Sequence, residues 1–326
     1  MVEKAQTELR HAERVLKSDS SIENFPTRRL HRFALLVALM TLILLVAGGL
    51  VTSNEAGDSV PDWPLSFGRW LIHSDYFVAN IRYEYSHRFI AGMVGLSTFF
   101  LALWVWRSDL RAWMRKLAWA AFAGVVAQAL LGGARVLMGE GGKPFLAVPH
   151  ALVAQSFFGT IVAIAVFTSR SWWATDSRTV DARTARLTLY SVVAVLMQLV
   201  LGAGFRHRAF GIIPHIIGAV IVAALLLWTV MTVMARHKER LLRRPAATAI
   251  ALLMTQLLLG VSAYLARLAA ADDPQPLEPM ISLTVAHMTI GALLLADLIV
   301  LMLRCYGALS DERAEKVFAA PHAESA

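Results

Sequence analysis

Eight long apolar stretches run through this 326-residue sequence, and none of them contains Asp, Glu, Lys or Arg. A helix needs about 20 apolar residues to cross the hydrocarbon core of a bilayer, and these stretches are 17 to 27 residues long. A closed β-barrel would show shorter segments of alternating polarity. The pattern therefore predicts an all-α integral membrane protein with eight transmembrane helices. The stretches are residues 33–51, 89–106, 117–134, 145–169, 187–205, 209–235, 245–266 and 280–296.

The composition excludes the other broad classes of protein. Hydrophobic residues make up 57% of the chain and charged residues 17%, with a mean hydropathy of +0.57. Soluble domains are about 45–50% apolar and about 25% charged, and disordered chains are less apolar still. A disulfide-stapled fold is excluded because Cys305 is the only cysteine.

The basic residues predict the orientation of the helices. The net charge of +8 would suggest a nucleic-acid partner in a soluble protein. Here 23 of the 31 Lys and Arg fall in the two tails and in the loops after the second, fourth and sixth stretches, and seven fall in the other loops. The positive-inside rule places both termini in the cytoplasm. We predict a multi-pass protein of a bacterial plasma membrane, with no cleavable signal, basic loops near anionic lipid and no nucleic-acid partner.

An internal repeat divides the chain into two halves. Matching residues on the second and third helices of each half lie 128 positions apart in the sequence. The histidines on the fourth helix of each half lie 137 positions apart, because the loop before the eighth helix is longer. Because each half has an even number of helices, both halves have the same orientation in the membrane. The repeat predicts two pseudo-symmetric four-helix bundles, residues 33–169 and 187–304, a cytoplasmic linker at 170–186 and cytoplasmic tails at 1–32 and 305–326. The matched pairs are His87 and His215, Gln128 and Gln256, Gly132 and Gly260, and His150 and His287.

Four histidines, His87, His150, His215 and His287, lie at one depth near the start of the even helices. One buried histidine often only hydrogen-bonds a neighbouring helix, but four at matched depth indicate binding, because ionisable groups in a membrane are costly. Zinc usually has three or four close ligands, and copper sites favour Cys or Met beside His. Two imidazoles facing each other across a bundle are typical of axial heme ligands. We therefore predict one bis-histidine heme site in each half, with glycines allowing close approach.

The repeat fails beside the first histidine. Glu84 lies three residues before His87 and shares its helical face, but its counterpart in the second half is Ile212. Arg88 likewise corresponds to Ile216. The outer loop is also long in the first half and only a few residues long in the second. This asymmetry predicts chemistry in the first half and electron transfer or storage in the second.

Two interpretations of Glu84 remain open at this point. A carboxylate beside an apolar site can act as an acid, as a base or as a stabiliser of developing positive charge. It can also form a salt bridge with Arg88 or Arg82 at the membrane surface. A Glu-x-x-His motif occurs in di-iron bundles too, but there it is found twice with further glutamates, and the apolar helices of this sequence hold one copy.

Several motifs together resemble the heme A synthase family. The Pro-Asp-Trp-Pro loop and the Glu-x-x-His-Arg motif are the specific ones, whereas Gln-x-Leu-Leu-Gly alone would be weak. The resemblance extends over all eight helices, roughly residues 33–304. The motifs are Gly48-Gly49-Leu-Val-Thr52, Pro61-Asp62-Trp63-Pro64-Leu65, Glu84-Tyr-Ser-His87-Arg88, Gln128-Ala-Leu-Leu-Gly132-Gly133, Pro149-His150, Pro214-His215 and His287.

The resemblance implies a membrane-bound oxidoreductase that oxidises the methyl group of heme O to the formyl group of heme A for a terminal oxidase. It implies that His87 and His150 flank the substrate heme O and that His215 and His287 hold a heme b. Glu84 corresponds to the family's essential glutamate, which would stabilise a cationic intermediate. Heme O synthase is the implied supplier of substrate, and the electron donor is a further partner that the resemblance does not name.

The sequence departs from the family pattern in the outer loop. Many bacterial members carry a cysteine on each side of the Pro-Asp-Trp-Pro motif, whereas Val60 and Ser66 stand at those positions here. The loop therefore cannot be clamped by a disulfide, and we expect its prolines to rigidify it. Trp63 is expected either to take part in that arrangement or simply to lie in the membrane interface, where indoles settle.

Three charged residues near the helix ends have two interpretations each. Arg135 and Arg206 lie at outer ends, where they are expected to pair with heme propionates or to be ordinary interfacial arginines. Asp297 lies in the inner part of the last helix, and we interpret it as snorkelling toward the cytoplasm near Arg304.

Two rival functions fit parts of the pattern. A di-heme membrane cytochrome that takes electrons from quinol and modifies no heme would also need two histidine pairs, but it needs no unmatched glutamate. A heme carrier would spread its ligands across the membrane rather than keep them at one depth. Glu84 therefore favours the heme-modifying enzyme.

Overall fold

The computed structural model describes residues 28–109, 111–138, 143–173, 180–271 and 277–319. Eight long helices account for most of these residues, and every one of them is long and apolar enough to cross a membrane. The prediction of an all-α, multi-pass membrane protein is thereby confirmed. The helices are α1 (Arg28–Ser53), α2 (Ile81–Ser108), α3 (Ala112–Met138), α4 (Lys143–Phe167), α5 (Ala182–Arg206), α6 (Ile213–Arg236), α7 (Arg240–Ala269) and α8 (Glu278–Ala319).

Most helices extend beyond the apolar stretches that predict them. Arg is a good helix former, and its long stem lets the charge reach the membrane surface while the backbone stays helical. The first helix therefore begins at Arg28 and the second at Ile81, so that Glu84 and His87 lie within the first two turns of α2. The eighth helix continues past Arg304, into the segment predicted as a tail. Most of the N-terminal tail (1–27) and part of the linker (174–179) lie outside the described residues.

Within each half, the helices pack in the same cyclic order. Helices α1 to α4 contact one another in sequence and α4 returns to α1, and helices α5 to α8 repeat this arrangement. The halves meet where α8 packs against α1 and α4, and where α5 packs against α4. Among the described residues, the connection from α1 to α2 is long (54–80) and the one from α5 to α6 is short (207–212).

The tightly packed core of each half lies at the end of the bundle away from the histidines. In the first half it includes Val37, Leu101 and Ile161, and in the second half it includes Leu226 and Leu298. All five side chains are essentially inaccessible to solvent.

Candidate functional site

Each of the four histidines rests against a glycine on the preceding helix. A Cβ atom on any of these glycines would come closer to the imidazole than ordinary packing permits. The sequence predicted only that glycines permit close approach, and the structure shows which four make room for the rings. The distances from the Cβ position to the imidazole Cε1 are 3.1 Å for Gly48 and His87, 3.3 Å for Gly132 and His150, 3.0 Å for Gly202 and His215, and 2.9 Å for Gly260 and His287.

A glutamine lies one helical turn before three of these glycines. The Gln128 side chain donates to the backbone carbonyl of His150 at 2.9 Å, and the Gln198 side chain donates to that of His215 at 2.8 Å. Gln256 lies within 3.4 Å of the His287 ring. In α1 the corresponding residue is Leu44. Sequence reasoning missed Gln198, although the repeated spacing of Gln and Gly would have found it.

The histidine pair of the second half is close and oriented by the protein. The ring centroids of His215 and His287 lie 6.3 Å apart, with their planes at 85°. The Nδ1 atom of His215 contacts the Gln198 amide at 3.0 Å, and Nδ1 of His287 contacts the backbone carbonyl of Gln256 at 3.1 Å. Because metal–imidazole bonds are about 2 Å long, this separation leaves room for one metal ion between the rings. The donor set fits an iron with two axial imidazoles.

The histidine pair of the first half differs in its hydrogen bonding. Nδ1 of His150 is buried and has no hydrogen-bond partner among the described residues, whereas the His87 ring interacts with the backbone carbonyl of Leu44. The two rings interact electrostatically with each other and with Arg135. Since buried polar atoms are normally paired, the unpartnered nitrogen of His150 fits a site that receives a ligand.

Glu84 is held by both of its carboxylate oxygens. Oε1 forms a 2.5 Å salt bridge with Arg88, and Oε2 accepts a 2.9 Å hydrogen bond from the backbone N–H of Val60. The salt bridge considered above is therefore present. It is buried rather than at the surface, since only 3% of Glu84 is exposed. Glu84 also interacts electrostatically with Arg135, which in turn interacts with both histidines of the first half.

The outer loop folds back onto Arg88. The guanidinium group donates to the backbone carbonyls of Val60 at 2.9 Å, Asp62 at 2.6 Å and Leu65 at 3.1 Å. Val60 and Ser66 are both buried. The loop is thus held by the backbone on both sides of the Pro-Asp-Trp-Pro motif, where a disulfide would otherwise act.

The tip of the loop covers the end of α3. The indole of Trp63 packs directly on Gly133, where a Cβ atom would overlap it. The Asp62 carboxylate accepts 2.7 Å hydrogen bonds from the backbone N–H groups of Phe67 and Gly68. The hydrogen bond from Gly68 is the main reason that the pKa of Asp62 lies below its ordinary value. Trp63 therefore belongs to the cover beside Gly132 and is more than an interfacial anchor.

The two candidate arginines have different surroundings. Arg206 donates to the backbone carbonyl of Thr52 at 3.0 Å and contacts the Ser53 hydroxyl at 3.4 Å, so it ties α5 to α1. Nε of Arg135 is buried and has no partner among the described residues. Sequence reasoning missed His207, which lies near both arginines. Burial is the main cause that lowers the pKa of His207 to about 4, helped by Arg135 and Arg206, so His207 is neutral at pH 7.

Asp297 is half-buried in α8. Its Oδ2 atom has no hydrogen-bond partner among the described residues, and it interacts electrostatically with Arg304. In the described part of the chain, no three His, Cys, Asp or Glu side chains cluster as a metal centre would require. Each half offers two imidazoles instead.

Known proteins resemble this chain most clearly in its first half. A family model described as "Cytochrome oxidase assembly protein" matches residues 31–214. The chain is 32% identical over 138 residues to the heme A synthase of Alkalihalophilus pseudofirmus (41% of this chain, 45% of the relative). It is 28% identical over 188 residues to that of Geobacillus kaustophilus (55% and 57%) and 33% identical over 141 residues to that of Halalkalibacterium halodurans (42% and 44%).

The chain spans about half the length of the curated relatives it matches. The residues that the family model matches include Glu84, His87 and His150, and they end just before His215. The second histidine pair is therefore supported by the internal repeat and by its own geometry.

Proposed function

Because the chain belongs to the family of cytochrome oxidase assembly proteins called COX15-CtaA, we propose that it is a heme A synthase. In this reaction the methyl group of heme O is oxidised to the formyl group of heme A, which a terminal oxidase then receives. One observation carries the proposal. The two halves repeat their histidines and glycines, but the first half alone places a buried carboxylate one turn from its histidine pair.

The two histidine pairs take different roles in this proposal. His87 and His150 bind the substrate heme O from either side, and His215 and His287 hold a heme b. A bound heme b supplies one-electron redox chemistry. The hydrogen bonds to Gln198 and Gln256 keep the second pair in a fixed orientation, as suits a permanent cofactor. Among the described residues, the first pair lacks such glutamine contacts to its rings, and the unpartnered Nδ1 of His150 suits a substrate that enters and leaves.

Glu84 stabilises the positive charge that develops at the oxidised methyl carbon of the substrate. A carboxylate does this best in a site that excludes water and keeps the charge in place before the reaction. The Val60 N–H and Arg88 fix its two oxygens. Arg88 also donates hydrogen bonds to backbone carbonyls of the loop. It therefore orients the carboxylate and holds the loop closed at the same time.

The surroundings of the first pair complete the site. Trp63 and the loop exclude water from the end of α3, and Arg135 binds a propionate of the substrate through its free Nε. Arg206 serves as a link between the halves. Heme O synthase supplies the substrate, and an electron donor reduces the second site. We place the protein in a bacterial plasma membrane with both termini in the cytoplasm, which puts the histidines in the outer half of the bilayer.

The Glu84→Gln variant tests the role of the carboxylate. Loss of one preorganised charge costs about 10²–10³ in rate, so we expect heme A formation to fall about a hundredfold or more while the heme b spectrum stays unchanged. Glu55→Gln is the matched control, since Glu55 is an exposed acid in the same loop region. Heme extraction and chromatography measure the product. Loss of the heme b spectrum in Glu84→Gln would show instead that Glu84 is structural.

A further inference from the structure

A groove of about 160 Å³ opens on the lipid-facing seam between α3 and α4. Its lining is small on both sides, with Ala120 and Gly124 on α3 and Ser156 and Thr160 on α4, and Phe157 forms its floor. Ala120 and Ser156 are exposed on the surface of the protein, and Thr160 is partly exposed. The groove is therefore accessible from the membrane, and it is not part of the histidine site described above.

The groove lies next to the histidine site of the first half along both α3 and α4. Val153, which lines its upper end, follows His150 by three residues, less than one turn. On the other side, Gly124 lies two turns before Gly132, the glycine that seats the His150 ring. From Val153 to Thr160 the groove extends about 10 Å along α4, at 1.5 Å per residue. A ligand held between His87 and His150 could place an apolar substituent into it.

The same seam carries larger side chains at two positions in the second half. Applying the two repeat offsets, Gly124 corresponds to Leu252 and Ser156 corresponds to Leu293. Leu252 packs against the core of the second half, and α7 and α8 pack more extensively than any other pair of helices. The half that would hold heme b therefore has leucines at positions where the half that would hold heme O has small residues.

We propose that the groove between α3 and α4 receives the isoprenoid tail of the substrate. This inference rests on the proposed function. Heme O and heme b share their macrocycle, but heme O carries a fifteen-carbon isoprenoid chain that heme b lacks. In a membrane or micelle the chain is already out of water, so its gain in the groove comes from van der Waals packing against a surface that fits it. A site of this size accommodates the part of the chain nearest the macrocycle. The groove thus selects heme O at the first site, and the leucines reject its tail at the second.

The test compares binding of heme O and of heme b to the purified protein whose second site is already loaded. Spectral titration in detergent measures both affinities for the wild type, Gly124→Leu and the control Gly95→Leu. A Cβ atom at Gly124 would meet only Phe157, at 3.9 Å, and one at Gly95 would meet nothing within 4 Å, so both variants should fold. We expect Gly124→Leu to bind heme O at least tenfold more weakly than the wild type, with its affinity for heme b unchanged. Gly95→Leu should bind both hemes with the affinities of the wild type.

Other outcomes overturn the inference in distinguishable ways. Equal heme O affinity in the wild type and Gly124→Leu would show that the tail lies elsewhere, while leaving the proposed function intact. Small residues four apart also serve helix association. A changed oligomeric state on size-exclusion chromatography with unchanged heme O affinity would therefore assign the groove to a second protein chain. No heme O binding by the wild type would remove the proposed function itself. Ser156→Leu, on the opposite wall, gives an independent second variant.

Discussion

The two halves of this protein present their histidines in the same way but surround them differently. In both, each imidazole lies against a glycine of the preceding helix. In the second half the rings are fixed by hydrogen bonds to glutamine residues, the connecting loop is short, and leucines stand in the seam between the last two helices. In the first half Nδ1 of His150 has no hydrogen-bond partner among the described residues, a long loop closes over the site, and the seam has small residues at the same positions. Both halves keep a histidine pair, and under the proposed function their surroundings decide between a permanent cofactor and an exchanging substrate.

The carboxylate marks the clearest chemical difference between the halves. Glu84 and Arg88 occupy positions where the second half has Ile212 and Ile216. A buried ion pair is costly to form without further hydrogen bonds, and here the backbone of the outer loop provides them. The loop and the ion pair therefore depend on each other, and the short loop of the second half could not support such a pair.

The largest effect is expected from the histidines of the second half. Replacing His215 or His287 by Leu removes an axial ligand, so heme b content should fall at least tenfold, as measured by the pyridine hemochrome assay. The matched variants His87→Leu and His150→Leu should retain heme b. Unchanged heme b in His215→Leu and His287→Leu would break the comparison, because it would place the permanent cofactor elsewhere.

An intermediate effect is expected from the loop clamp of the first half. Arg88→Met removes the donors to three loop carbonyls and leaves Glu84 without its counter-ion, which for a buried pair costs about 3–5 kcal/mol. We expect a lower Tm and at least a tenfold loss of heme A formation, with heme b retained. Arg82→Met is the control, because the Arg82 side chain is exposed and bonds only to the Tyr83 hydroxyl. Normal heme A formation in Arg88→Met would show that the hydrogen bonds of Arg88 to the loop and to Glu84 are dispensable.

The smallest effect is expected from the glycines that seat the rings. Gly260→Ala brings a methyl group to 2.9 Å from the His287 ring, whereas Gly132→Ala brings one to 3.3 Å from His150. Alanine also favours the helix by up to about 1 kcal/mol, so the protein should remain folded. We expect Gly260→Ala to alter the electron paramagnetic resonance signal of heme b and Gly132→Ala to leave it unchanged. Gly92→Ala is the control, because a Cβ atom at Gly92 would meet nothing within 4 Å. An identical signal in all three variants would show that these glycines do not determine the orientation of the imidazole rings.

The sequence predicts the helices well because membrane insertion depends on a local property. Runs without charge identify all eight helices, and the placement of Glu84 on the same face as His87 follows from helical spacing alone. The helix ends are less predictable, since residues such as Arg28 remain helical while their charge reaches the surface. The helices extend past the apolar stretches because a charged residue does not by itself end a helix.

The contacts of the site depend on long-range folding, which the sequence pattern does not reveal. That Arg88 binds the carbonyls of Val60 and Asp62 follows from how a 27-residue loop folds back (54–80). The packing of Trp63 on Gly133 has the same origin. His207 enters the neighbourhood of Arg135 only because the second half packs against the first, so no motif could have indicated it.

Heme analysis of cells that express this chain and make heme O, but have no other source of heme A, tests the central claim most directly. Hemes are extracted from the membranes and separated by chromatography. The account predicts that heme A accumulates and that the purified protein retains heme b. Heme O and heme b without any heme A, from cells in which the protein is present with its heme b bound, would contradict it.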